Sequence, residues 1–514
     1  MKGFIFLFSF ALASARADTL TGKIGEYVID RFDGTSSVEK VLLNSSGMYR
    51  LSGELPAAGS NVVVEADLGK DGTYVVLKST LLSFSDPVSP ETSNANILAV
   101  RVQFPGTPNT SCSSEQIQSK LFSSNRESTK SFFQEVSLGK LTVQGTVVPE
   151  VLEIQGNAST CDDSQWVNRA IAALSARGIN HENYSHLMLF TPETSCNWAG
   201  SAVVGGRTSM IRGSSCGDEG VIGHEFGHNL GLFHASTPEL EYGDRSDIMG
   251  VHMPLKGFHA AHRHKLGWFN SGELATNAGT VEELELTTVL YPGKDPGMAQ
   301  ALRLQTPEMA HPLYFSFRKS AGYDASLPSI FFEQLSIHRF TEGRFPRLIS
   351  YLGAGNSFPV GENTGMTVRV LEMDSDRARI QIARDCVKAP PTLTARPGDL
   401  VTPLNVYNEV ELTVTNNDNG ICPATTIDLS ANVANGAEAV LPAWYAAVTL
   451  KGGESLTVNS SVRTTQFNEF LPPSVEFVLR SSEHKDAVTF GLNISVPQEP
   501  AVPVKGSKKA GLRK

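Results

Sequence analysis

The sequence predicts a multidomain protein of α/β plus β class, with one α/β domain set between β domains. Three observations carry this expectation. At 514 residues the chain is too long for a single core. Its N-terminal part and its C-terminal half alternate apolar and polar positions in short runs broken by Gly, Asp and Pro. Between them, strand-like runs interleave with helical spacing. Hydrophobic content of 40% and charged content of 19% are those of a globular protein. A net charge of −10 excludes a general nucleic-acid binder, which needs a basic surface to release counterions.

The elements follow in chain order. MKGFIFLFSFALASARADTL carries Lys2, an apolar run from Phe4 to Ala13 and small residues up to Ala17. That pattern predicts a signal peptide over 1–17 and a secreted, extracellular protein. No other stretch reaches the roughly 18 apolar residues of a membrane helix, so no membrane span is expected, and the protein is read as a monomer. Residues 18–90 (GKIGEYVID, NVVVEADL, TYVVLKST) predict a small β domain, either a propeptide or a retained part. LLSFSDPVSPETSNAN reads as a linker.

Residues 91–275 form the predicted α/β domain. ILAVRVQF is a strand, Ser113 to Val136 has helical spacing, LTVQGTVV and VLEI are strands, and DDSQWVNRAIAALSARG is a helix with an acidic start and a glycine stop. HLMLF is a strand, followed by the Gly-rich SAVVGGRTSMIRG and a third helix. Residues 276–388 predict a β-rich lobe ending in the hairpin-like TVRVLEMDSDRARIQIA. VKAPPTLTARPGD is a Pro-rich linker, 389–498 show six or seven short strands suiting an immunoglobulin-like β-sandwich, and 499–514 are a basic tail. Six cysteines in an exported chain predict disulfides; of the 15 possible pairings, nearness in sequence favours Cys112–Cys161, Cys196–Cys216 and Cys386–Cys422.

The third helix opens HEFGHNLGLFH, His224 to His234. Residues four apart on an α-helix differ by about 40° in direction, so His224 and His228 can share one ion at about 2.0–2.1 Å, the Zn–N bond length. Glu225 projects beside them. On a continued helix His234 would lie about 15 Å along the axis from His224 and roughly 80° away from it. It reaches the same ion only if the chain reverses, and Gly231 stands where a left-handed residue is needed. Three imidazoles leave a fourth zinc position open to water, the mark of a catalytic site, and Glu225 is placed to act as general base. The expected cofactor is Zn2+.

HExxHxxGxxH is the signature of the metzincin metalloproteases. The run HEFGHNLGLFHAS…EYGDRSDIMG…FHAAHRHKLGW, with SFFQEVSLGKLTVQGTVV upstream, resembles the gametolysin-like branch of that clan. The resemblance implies a metzincin-type α/β catalytic domain, His224, His228 and His234 as zinc ligands, Glu225 as general base, and Met249 as a structural floor under the site. It also implies a cleft whose edge strand pairs with an extended substrate; SAVVGGRTSMIRG is either that edge or a loop. Many clan members stay latent through a propeptide cysteine, and none lies between Ala17 and Ser111 here. His252, His259, His262 and His264 read as surface or packing histidines ahead of a second metal site. Asp244 and Asp247 are expected to fix the methionine turn through backbone amides.

The expected function is a secreted zinc endopeptidase acting on extracellular or cell-wall and matrix proteins or glycoproteins. A matrix- or surface-binding protein that keeps the metalloprotease fold with little catalysis is the alternative; a zinc amidase on carbohydrate-linked amides is a third reading.

Overall fold

The computed structural model describes residues 17–84, 94–292, 297–341, 345–361, 364–419, 422–442, 447–468, 470–481 and 483–497. The expected signal segment (but for Ala17), the basic tail and the middle of the linker after Phe84 lie outside them. The protein is mostly β-sheet, with several sheets and few helices, and divides into two compact units: residues 1–356 with 369–381, and 357–368 with 382–514.

The first unit starts with a closed barrel of β1 (Asp18–Asp30), β2 (Ser36–Asn44), β3 (Gly47–Ser52), β4 (Ser60–Leu68) and β5 (Tyr74–Phe84). Its strands run β1-β2-β3-β5-β4 and close back on β1. The alternation read from the sequence supplies the inward set Ile24, Leu42, Leu51, Val62 and Val64. β1 is long enough to change partners: Asp18–Lys23 pair with β4, Lys23–Asp30 with β2. The strand must coil tightly where it switches, and Gly22 permits this, since a Cβ there would lie 2.4 Å from the Leu43 carbonyl oxygen.

β1 also has a third neighbour. The strands β6 (Asn94–Gln103), β7 (Thr142–Val147), β9 (His186–Phe190), β10 (Gly200–Val203) and β11 (Thr208–Ile211) form a sheet in the order β10-β11-β9-β6-β7; β8 (Leu152–Glu153) pairs with β6. All its pairings are parallel except that of β10 with β11. Tyr27–Asp30 of β1 lie antiparallel along the outer edge of β10 and join barrel and sheet.

A largely parallel sheet needs both faces covered, which is why ILAVRV is apolar throughout. One face carries α1 (Ser114–Phe122), α2 (Thr129–Val136) and α4 (Glu219–Asn229) through Leu121, Phe132, Phe133 and Phe226. Burying each of these aromatic rings contributes about 1.5–3 kcal/mol. The other face carries α3 (Asp163–Ala176), whose Trp166, Val167 and Ala170 share a core with Tyr27, Ile29 and Met48 of the barrel.

The structure corrects several expectations. Ser113–Val136 is two helices, because Ser128 bonds the Ser123 carbonyl and caps a new start at the Ser131 amide. The disulfides are Cys112–Cys216, Cys161–Cys196 and Cys386–Cys422, so two of the three pairings differ from those favoured by nearness. Cys112 follows β6 and Cys216 precedes α4, and the fold brings these ends together across 104 residues. The linker ends Leu81–Phe84 and Asn94–Asn96 belong to β5 and β6.

Past a short helix α5 (Ala260–Lys265), a five-stranded sheet runs through Leu274–Asn277, Ala301–Leu304, Leu313–Ser316, Leu335–Arg339 and Arg347–Leu352. The hairpin read in the sequence is present as Met366–Met373 and Arg377–Arg384, its turn held by Asp374 on the Asp376 and Arg377 amides.

The second unit contains a four-stranded and a five-stranded sheet over one core that includes Leu412, Val458, Leu429 and Phe477. The Pro-rich run taken for a linker contributes two of its strands, Thr392–Arg396 and Asp399–Val401, each at a sheet edge where a proline nearby breaks no central ladder.

Candidate metal centre

α4 starts on Asp218, whose carboxylate accepts the Gly220 and Val221 amides, and it ends at Asn229. Gly231 has φ +96°, the Leu232 amide bonds the Gly227 carbonyl, and the Gly231 amide bonds that of His228. This is a Schellman ending, and it reverses the chain where the motif demanded it. A Cβ at 231 would meet nothing closer than 3.9 Å, so the backbone angle and not space calls for glycine.

The reversal brings His234 back to the helix. Ring centroids of His224, His228 and His234 lie 4.9, 5.3 and 4.9 Å apart, and all three rings are buried. Each Nδ1 is spoken for: His224 donates to the Ile248 carbonyl at 2.9 Å, His228 to that of Leu232 at 2.8 Å, and His234 meets Glu241 Oε1 at 2.8 Å. A carbonyl only accepts, so Nδ1 of His224 and of His228 carries a proton and the neutral ring turns its Nε2 lone pair inward, while the Glu241 carboxylate gives His234 Nδ1 the same donor role. His228 and His234 Nε2 are 3.2 Å apart, and His224 Nε2 is buried without a hydrogen-bond partner. A cation between them, whether a proton or a metal ion, makes that approach attractive. Tetrahedral nitrogens at zinc-bond length would be about 3.3 Å apart. The donor set fits a metal ion.

Met249 lies under this group: a Cβ on Gly227 would sit 2.4 Å from its sulfur, so the helix rests directly on it. Its turn is held as expected. Asp247 accepts the Met249 amide, the His259 amide and His262 Nδ1, while Asp244 accepts the Ser246 amide and pairs with His338 at 2.9 Å. His259, His262, His338 and these aspartates are close enough to suggest a second metal. However, His259 Nδ1 accepts the His262 backbone amide, so its Nε2 keeps the proton and offers no lone pair. The cluster is a clasp on the methionine turn. His264 bonds Tyr314, and His252 is half-exposed beside Asp218.

Glu225 is buried next to the three histidines, Oε2 without a partner. Gly200 of β10 backs onto it, and any side chain there would strike its carboxylate. Burial, reinforced by a nearby carboxylate, raises the pKa of Glu225 well above the usual range. That carboxylate is Asp30, which the sequence reading did not single out. It stands at the end of β1, with 3.6, 3.2 and 2.9 Å from its oxygens to Nε2 of His224, His228 and His234. Burial works against its charge, but His234 and His228 outweigh that and hold its pKa well below the ordinary value. Burial lowers His224 well below its usual pKa; for His234, Asp30 and Glu241 overcome burial and raise it to about 9. The Tyr242 ring lies tilted against His234, centroids 4.2 Å apart, and its hydroxyl donates to Asp30. Glu241 and Tyr242 fall in the quoted run EYGDRSDIMG, so only Asp30 carried no signal at all.

A profile of the gametolysin peptidase M11 family covers the segment that builds this centre. Residues 97–346 match the gametolysin peptidase family. The gametolysin-like segment makes up just under half of the chain. A curated relative, "Autolysin" of Chlamydomonas reinhardtii, is 27% identical over 226 residues, covering 36% of this chain and 35% of that protein. The match thus spans about a third of that relative. Among solved structures, a FixG-related protein from Vibrio parahaemolyticus (13% identity, 21% of this chain and 99% of that one) and a family 123 glycoside hydrolase from Clostridium perfringens (7%, 21% and 28%) each reach a TM-score of 0.17, too low to bear on the fold. The gametolysin match supports a protease whose family implies a metal.

Proposed function

We propose that the protein is a secreted zinc endopeptidase with a metzincin-type α/β catalytic domain at 91–275, a β lobe at 276–388 and an immunoglobulin-like domain at 389–498. The observation that carries this is the convergence of three imidazole Nε2 atoms on one point beside a buried glutamate whose Oε2 has no partner. Zinc held by His224, His228 and His234 would supply a Lewis acid and an acidified water. Glu225 takes a proton from water and passes it to the departing amine. β10 offers the edge on which an extended peptide pairs, with Gly200 letting the backbone approach Glu225. Three disulfides and the signal-like N-terminus support export, and no helix among the described residues is long and apolar enough to cross a membrane. Extracellular or cell-wall and matrix proteins or glycoproteins are the substrate class.

The test is Glu225→Gln in protein whose residues 18–90 have been removed by limited proteolysis. Zinc content should stay at one per chain while cleavage of casein falls at least about a hundredfold. Undiminished cleavage would remove Glu225 from the chemistry. A parent protein that binds zinc yet cuts no protein or peptide library would favour the matrix-binding alternative.

A further inference from the structure

We propose that the barrel built by residues 18–84 is a built-in lock on the metal centre: Tyr27–Asp30 fill the substrate edge of β10, and the Asp30 carboxylate occupies the position on the metal that catalysis needs open. This rests on the zinc peptidase reading and adds its regulation.

Four observations converge. The register is continuous, with Tyr27 opposite Val203, Val28 opposite Ala202, Ile29 opposite Ser201 and Asp30 opposite Gly200. Backbone bonds extend it at both ends, from the Ala199 amide to the Asp30 carbonyl and from the Val204 amide to that of Glu26, both at 2.8 Å. An extended peptide on an exposed sheet edge is how a peptidase of this kind would hold substrate, so the barrel strand sits where substrate belongs.

The chemistry at the strand's end is specific. Asp30 is buried, and a buried carboxylate costs several kcal/mol unless a cation or donors meet it. Facing it are three Nε2 atoms, at least two of which carry lone pairs because their Nδ1 protons go to carbonyls. One ligand atom from Asp30 and one from each histidine all lie within 4.8 Å of one another, a compact three-nitrogen, one-oxygen set of the kind that holds a divalent ion. Asp30 would then be the fourth ligand, displacing the water that Glu225 needs.

The strand is also anchored away from the metal. Tyr27 donates to Ser201 at 2.6 Å, the Met48 amide and carbonyl bond the Asn168 side chain on α3 at 2.7 and 2.9 Å, and Ser36 bonds Glu241, the residue that holds His234. Finally, no cysteine precedes Cys112, and Cys112 is itself in a disulfide, so no thiol from the barrel can cap the ion.

The experiment uses the full-length chain without processing, loaded with zinc, and a fluorescent peptidyl hydroxamate that binds an open zinc site. Zinc is counted by atomic absorption and probe binding by anisotropy. We expect one zinc in the wild type with no probe binding at micromolar concentration. Asp30→Ala and the near-isosteric Asp30→Asn should keep the zinc and gain probe affinity at least about tenfold. Cobalt(II) in place of zinc should show a different visible spectrum in wild type and Asp30→Asn, as the loss of a ligand requires. Stoichiometric probe binding by zinc-loaded wild type overturns the lock whatever the variants do, and so do spectra that are identical. Zinc absent from all three proteins would overturn the peptidase reading and the lock together, whereas zinc present with open access overturns the lock alone.

Discussion

Gly231 is the residue on which the metal centre turns. Its φ of +96° is open to glycine and disfavoured for any residue with a Cβ, although the space around it would admit one. Gly231→Ala therefore tests conformation without a clash. A left-handed conformation costs an L-residue about 1–2 kcal/mol, and relief of that strain would swing His234 away from His224 and His228. We expect zinc affinity, measured by competition with a chromogenic chelator, to fall about tenfold or more while the rest of the fold persists. Unchanged affinity would show that the bend is enforced by the walls around it. At this scale the sequence was most legible where chemistry fixes spacing: His224, Glu225, His228, Gly231, His234 and Met249 all meet. Asp30 was invisible because it lies 198 residues from His228, and a lone aspartate at a strand end has no pattern to read. Tyr242 and Glu241 were on view in the sequence, but their roles depend on a loop path that no periodicity encodes.

Among the elements, helices and strands with a strong period were readable, and their interruptions were not. α3 and α4 appeared where their caps and spacing put them, whereas the break between α1 and α2 depends on side-chain bonds of Ser128 that compete with a continuous helix. Disulfide partners were the least legible feature, since nearness in sequence says little once a sheet has brought distant ends together. Cys112–Cys216 shows the consequence. It ties the entry of α1 to the turn just ahead of α4, the helix that bears His224 and His228. Closing a loop of 104 residues removes about 4–5 kcal/mol of chain entropy from the unfolded state. Replacing both cysteines by serine should lower the melting temperature by roughly five degrees, read by circular dichroism. Cys161–Cys196 closes 35 residues, so its removal should cost less. The reverse order would mean that strain or residual structure outweighs loop entropy here.

For the whole molecule, the composition announced a multidomain β-rich chain, yet it could not tell that the first barrel would share a core with α3 and continue the sheet of β6, β7 and β9 to β11. That docking has a titratable seam. Arg50 of the barrel lies 3.2 Å from Asp163 at the start of α3 and 2.7 Å from Glu39, so one guanidinium serves two carboxylates. Asp163 is the buried one, and burial, with Glu39 adding to it against the pull of Arg50, raises its pKa to about 7. The folded state thus binds this proton more tightly than the unfolded chain, whose aspartate titrates near 4. Its stabilisation is complete below about pH 4 and is lost as pH rises through about 7. Other groups titrate in the same range, so the informative quantity is the difference between wild type and Asp163→Asn, which keeps the shape and cannot ionise. We expect the wild-type melting temperature to fall relative to the variant between pH 5 and 8. Because Met48 and Tyr27 belong to the same core as α3, the barrel should come loose from the sheet first, seen as faster hydrogen exchange at Ser201–Val203 in the wild type at pH 8 than in Asp163→Asn. Equal exchange in the two proteins would separate the seam at α3 from the strand that covers the metal centre.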